Sequence, residues 1–147
     1  MRWHSIAAVI GLAISVSAGT CDRYYPLRRT VKITTAPNPN CVTDALQAAD
    51  IGEVTHSCDS DADTGVMTDY YRIQGSRPQE WVTFAIPRSV SDSSKARLSW
   101  GLLNRQPSAE ETARIRTMMT EAYSAAQKAC VGLPDPSDVT ESCGWCR

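Results

Sequence analysis

The sequence predicts an α+β fold, an antiparallel sheet of four to five strands with two helices packed on one face, in the order β-α-β-β-β-β-α. Three observations predict it. Two stretches carry apolar residues at helical spacing between helix-start and helix-stop residues. Five others alternate, or carry apolar runs, between turn residues. Each helix and one sheet face need an apolar partner, and packing both helices on the same face is the compact solution.

The first strand is read at Arg29–Thr35, where Val31 and Ile33 share a face. Asn38-Pro39 then supplies an N-cap and a proline at the first helical position. Val42, Ala45, Leu46 and Ala49 follow at i, i+3, i+4 and i+7, a short amphipathic helix that should stop at Gly52. Strands are expected at Glu53–Cys58, Val66–Gln74, Gln79–Ile86 and Lys95–Asn104, joined by turns at Gly75–Pro78 and Pro87–Ser94. In the fourth strand Val82, Phe84 and Ile86 alternate with Trp81, Thr83 and Ala85, so both faces carry bulk and the strand reads as central. In the fifth, Ala96, Leu98, Trp100 and Leu102 oppose Arg97, Ser99 and Gly101.

The second helix has the plainest signals. Ser108 and Glu111 form a capping box, Ala109 to Val131 can run as one helix, and Gly132 with Pro134 ends it. Its buried stripe should be Ile115, Met118, Met119, Ala122, Ala125, Ala126 and Ala129, with Glu110 and Arg114 paired at i, i+4. If the two helices lie antiparallel, Cys41 in the first turn of one meets Cys130 at the end of the other, which predicts a Cys41–Cys130 disulfide.

At 147 residues the chain has length for one domain. Fifteen Lys and Arg against 16 Asp and Glu argue against a nucleic-acid partner, which would call for a basic excess. With 42% apolar and 21% charged residues the chain is neither disordered nor a multi-span membrane protein. The acidic Asp59–Asp63 run and the Pro/Ser-rich tail from Leu133 are the composition shifts, and there is no internal repeat.

Residues 1–20 read as a secretory signal peptide. A short basic start precedes the uncharged apolar run Ile6–Val16, which is shorter than the about 20 residues that cross a bilayer. Val16-Ser17-Ala18 offers small residues for cleavage after Ala18. Ala18-Gly19-Thr20-Cys21 also resembles a bacterial lipobox, with Thr20 standing where Gly, Ala or Ser is usual and Ala18 where Leu is usual. On that resemblance Cys21 is the lipidation candidate, and a lipid there is the chain's expected route to a membrane. Residues 21–147 are then a single exported α+β domain, periplasmic or secreted or anchored through Cys21, with a cysteine-containing tail at 133–147.

Cleavage after Ala18 keeps Cys21, Cys41, Cys58, Cys130, Cys143 and Cys146, an even set of disulfide candidates, whereas lipidation leaves five. Cys143-Gly144-Trp145-Cys146 is similar to the thioredoxin-type motif in spacing, but no helix follows to stabilise a thiolate and no histidine follows to hold a c-type haem. A structural disulfide is the expected use of these cysteines, and thiol-redox or metal-handling work the alternative.

Asp59, Asp61 and Asp63 resemble the opening of an EF-hand calcium loop, with Thr64 where glycine is required and Tyr70 where a bidentate glutamate belongs. They are weak calcium candidates, and a solvated hairpin is the expectation. His56 is the one histidine after the signal, and it reads as a hydrogen-bonded structural residue on the face of Val54 and Cys58. No G-x-S-x-G elbow or H-E-x-x-H zinc motif is present, so no catalytic residue is assigned and no cofactor is expected. Two aromatic-basic clusters, Arg23-Tyr24-Tyr25 with Arg28-Arg29 and Tyr70-Tyr71-Arg72, suit carbohydrate, peptide or anionic surfaces. Tyr71 with Met67 and Ile73 equally reads as a core face. The resulting expectation is a small exported bacterial envelope protein, non-enzymatic and disulfide-stabilised, that binds a protein or other envelope component.

Overall fold

A computed structural model of the chain describes residues 26–101 and 105–143. The elements run β1 (Leu27–Lys32), α1 (Pro39–Ala48), β2 (Glu53–Ser60), β3 (Met67–Gln74), β4 (Trp81–Pro87), β5 (Lys95–Trp100), α2 (Ala109–Ala129), a 3-10 turn at Pro136–Asp138, and β6 (Thr140–Cys143). Among the described residues six strands form one antiparallel sheet in the order β2-β3-β4-β5-β1-β6. This is the expected α+β architecture.

Register gives the sheet two distinct faces, because side chains alternate along each strand. One row across the sheet reads His56, Tyr71, Phe84, Leu98, Arg29 and Glu141. Both helices cover this face. The Tyr71 hydroxyl donates to the carbonyl of Pro39 in α1 at 3.4 Å, and the Phe84 ring lies 6.1 Å from that of Tyr123 in α2. Between helices and sheet sits a core built from Val31, Ile73, Val82, Phe84, Leu98 and Trp100 with Val42, Leu46, Ile115 and Met119. β4 lies inside the sheet, with β3 and β5 on its two sides, as its two-sided bulk requires.

The helix signals act locally and hold. Asn38 accepts the backbone N–H groups of Asn40 and Cys41, with Pro39 in the first turn. Ser108 and Glu111 close their capping box in both directions. The start of α1 meets the end of α2, and Cys41 and Cys130 are bridged with their Cα atoms 5.9 Å apart. Gly132, at φ 116°, lets the chain leave α2 close to the carbonyl of Thr35, an approach that any Cβ would obstruct.

Four expectations need correction. The sheet has six strands, not four to five: the tail adds β6 beside β1, and its four residues, Thr140-Glu141-Ser142-Cys143, carry no apolar alternation. Glu141 holds that edge instead, through Arg29 and Arg116 at 2.9 Å each. α1 stops at Ala48, before Gly52, because Asp50 takes a left-handed conformation at φ 53° and turns the chain. Met67 is 49% exposed while Tyr71 and Ile73 are buried, since it sits at the very start of its strand, beyond the helices' cover. In α2, Tyr123 is buried and Ala129 exposed, a stripe that follows the helix's 3.6-residue turn rather than the run of alanines.

Among the described residues no helix is long and apolar enough to cross a membrane. The expected signal peptide at 1–20, Cys21, Arg23-Tyr24-Tyr25, Leu102–Asn104 and Gly144-Trp145-Cys146 lie outside the described residues.

Candidate functional site

The face of the sheet turned away from the helices carries the other half of every alternating strand. Its rows read Ser57, Tyr70, Ala85, Arg97, Thr30, Thr140 and, one step along, Thr55, Arg72, Thr83, Ser99, Arg28, Ser142. On β4 and β5 the small side chains Thr83, Ala85 and Ser99 lie between Tyr70 on β3 and Arg28 on β1, with Arg97 rising from β5 among them. Large residues flanking small ones make a trough along the two strands.

Trp81 closes one end. Its ring lies across Gly101, where a Cβ would come within 1.8 Å of the indole, so only glycine permits this placement. The Arg72 guanidinium sits 4.9 Å from the ring centre, within cation–π range.

The loop after β2 reaches over the same face. Asp61 organises it: one carboxylate oxygen accepts the N–H groups of Asp63 (3.0 Å) and Thr64 (3.1 Å) and the Thr64 hydroxyl (3.3 Å). The other accepts the Tyr70 hydroxyl at 2.9 Å and pairs with Arg97. Asp61 is 5% exposed. Burial works to raise its pKa, but the Tyr70 hydroxyl, the Arg97 charge and the two loop N–H groups outweigh it and hold the carboxyl at about 2. Burial, then the hydrogen bond to this carboxylate, pushes Tyr70 up to about 12. Arg97 also lies 3.8 Å from Asp63, at the exposed loop tip.

The Asp61–Arg97 pair bridges the trough and divides it. On one side is a cavity of about 310 Å³ with Arg28, Tyr70, Trp81, Thr83, Ser99 and Gly101 among its lining. On the other is one of about 300 Å³ with Thr64, Thr68, Ser91, Ser93, Ser94 and Lys95. Asp61, Ala85 and Arg97 border both.

A second polar cluster sits at the margin of the helix-covered face. Asp69, 3% exposed, accepts from Arg88 through both oxygens at 3.0 Å and pairs with His56 Nε2 at 2.7 Å. Burial opposes its ionisation, yet Arg88 and then His56 hold its carboxyl below the ordinary value. The His56 ring stacks on Tyr71 with centres 4.7 Å apart. His56 is therefore a hydrogen-bonded, packed residue of the sheet margin. Cys58, across from Asp69 in the register, is a free thiol.

The other sequence candidates are dispersed. Asp59 accepts its neighbour Ser60's N–H, Asp61 is committed as above, and Asp63 faces Arg97. Among the described residues no group of three or more His, Cys, Asp or Glu could hold a metal ion. Cys143 is disulfide-bonded at the end of β6, and the rest of its Cys-x-x-Cys segment lies outside the described residues, as does Cys21.

Alternation splits each aromatic-basic cluster. Arg28, Tyr70 and Arg72 go to the open face, whereas Arg29 and Tyr71 go to the helix side, Arg29 donating to Thr120 of α2 at 2.7 Å. Trp81 and Arg97 were not singled out from sequence. Their signal was present in the polar faces of two strands, Trp81-Thr83-Ala85 and Arg97-Ser99-Gly101, which become one surface only once β4 and β5 pair.

Comparison with models of known protein families, with curated proteins and with solved structures finds no match to this chain.

Proposed function

We propose that this chain is a small exported, disulfide-stabilised domain of a bacterial envelope that works by binding rather than catalysis, through the open face of its sheet. The observation that carries this reading is the divided trough over β4 and β5, a concave, mixed-polarity surface on rigid strands. Cavities of this size, lined by an aromatic ring and a few fixed polar groups, suit ligand recognition. The signal-like segment 1–20 supports export, and the Cys41–Cys130 bridge suits an oxidising compartment. The reactive side chains support a binding role, because His56 is engaged by Asp69 and Tyr71 and Asp61 by its loop, Tyr70 and Arg97.

The test is retention of the mature protein on immobilised envelope fractions. The wild-type protein should be retained, and Thr83→Arg, which fills the trough with a charged side chain, should elute freely with an unchanged circular dichroism spectrum and melting temperature. Equal retention of both overturns the reading. Intact mass before and after reduction tests export in the same preparation: a chain starting at Gly19 is expected, and a chain that still begins at Met1 refutes processing.

A further inference from the structure

The reading of the open face as a binding surface leaves the ligand's chemistry to be settled, and the lining groups narrow it. The trough runs along β4 from Trp81 toward Pro87, about 20 Å at the rise of a strand, and the Asp61–Arg97 pair crosses it near the middle. A ligand in contact with both cavities must therefore be elongated.

Its recognition has to come from side chains. β4 and β5 are internal strands with neighbours on both sides, so their backbone N–H and C=O groups are engaged in the sheet. A peptide adding itself as a further strand needs a free sheet edge, and the trough has none. A polyanion meets little net charge, since Arg28, Lys95 and Arg97 border the cavities together with Asp61 and Asp63, and Arg97 is paired with Asp61. An apolar chain would have to desolvate Thr83, Ser99, Ser91, Ser93 and Ser94 without returning hydrogen bonds.

What remains is a ligand with apolar flat faces and many hydroxyl groups. Trp81 stands at one end over Gly101 with the Arg72 guanidinium 4.9 Å from its ring centre, so an indole and a guanidinium border the path together there. Hydroxyl side chains line both cavities, Thr83 and Ser99 in one and Thr64, Thr68, Ser91, Ser93 and Ser94 in the other, and each hydroxyl can donate and accept. We infer that the two cavities are adjoining subsites for one uncharged oligosaccharide, lying along β4 and β5 across the Asp61–Arg97 pair. This assignment rests on the open face being the binding surface, and it names the class of ligand.

The experiment is an array of immobilised glycans, neutral and sulfated, probed with wild-type protein, Thr83→Arg in the first subsite and Ser93→Arg in the second. Neutral glycans of four or more sugars should be bound by the wild-type protein, with at least tenfold weaker binding by each variant. Amide spectra of the wild-type protein with the bound glycan should then show shifts at Trp81, Thr83, Ser99 and Ser94. Both variants must keep the wild-type melting temperature, and if one does not, Trp81→Ala serves in its place. Binding confined to sulfated glycans overturns the assignment, as does neutral-glycan binding that either folded variant retains. If no glycan binds while Thr83→Arg still abolishes retention on envelope fractions, the saccharide assignment fails and the binding face stands. If neither assay responds to Thr83→Arg, both fail together.

Discussion

Asp61 and Arg97 are 36 residues apart in the chain and meet as an ion pair over β4, joining the loop after β2 to the middle of β5. The pair fixes the loop on the open face and sets the boundary between the two cavities. Removing the carboxylate by Asp61→Ala leaves the Tyr70 hydroxyl, two loop N–H groups and Arg97 without their acceptor. The expected loss is about 3 kcal/mol of stability, the scale for breaking a buried, hydrogen-bonded pair. Urea denaturation measures it, and a loss under about 1 kcal/mol would show the loop to be held by other means.

The same carboxylate sets an acid limit. Its pKa is about 2 in the folded chain against the ordinary 3.8, so the folded state binds the proton less readily than the unfolded one. Its stabilising contribution is therefore complete above about pH 4 and is lost as the pH falls through 2. The stability difference between wild type and Asp61→Asn should be constant from pH 7 to pH 5 and shrink between pH 4 and pH 2. A difference that keeps its size at pH 2 contradicts the assignment.

Gly101→Ala tests the trough wall. The new Cβ would lie 1.8 Å from the Trp81 ring, so the indole must leave its place. Overpacking of this kind costs about 1–3 kcal/mol, and Trp81 fluorescence and its indole proton resonance should both move. An unshifted indole resonance would mean that the ring is not anchored on this glycine.

Reduction of the Cys41–Cys130 bridge, or its replacement by a pair of alanines, should lower stability by about 4 kcal/mol in the chain-entropy account, given the 89-residue separation. The melting temperature of the double variant reads the effect directly. Because the bridge ties the helix side and leaves the open face untouched, the variant should still bind whatever the wild type binds at temperatures where it is folded.

Arg88 and His56 share one buried acceptor unequally. Arg88 meets both oxygens of Asp69 and His56 meets one. Arg88→Ala should therefore lower the denaturation midpoint more than His56→Ala, and the double variant should fall short of the sum of the two, as residues on one partner do. A larger effect from His56→Ala would show its stacking on Tyr71 to outweigh the guanidinium.

Features that depend on neighbours along the chain were open to direct reading. The Asn38 and Ser108 caps, the Glu110–Arg114 pair and the apolar faces of β1, β4 and β5 are such cases, because spacings of a few residues decide each one. The Cys41–Cys130 bridge was legible for a related reason: two helices sharing one sheet face and lying antiparallel bring the start of the first to the end of the second. β6 was not legible, since Thr140-Glu141-Ser142 has no alternation and is held by Arg29 and Arg116, distant partners that no local pattern reveals.

The candidate site divides along the same line. Sequence by itself determined which residues share a face within a strand, and so it set Tyr71 with Ile73 on a core face, whereas Arg28 fell outside the expected strand Arg29–Thr35 and was parted from Arg29 only by the observed β1. Only the tertiary structure decided which strands stand side by side, and hence that Trp81, Arg97 and Arg28 border one trough. It also turned an acidic loop with a calcium-like pattern into a cap for Arg97. The physical reason is the reach of the interactions: side-chain alternation is a property of one strand's backbone, whereas strand order and loop placement follow from burying the core and satisfying Asp61 with groups far along the chain.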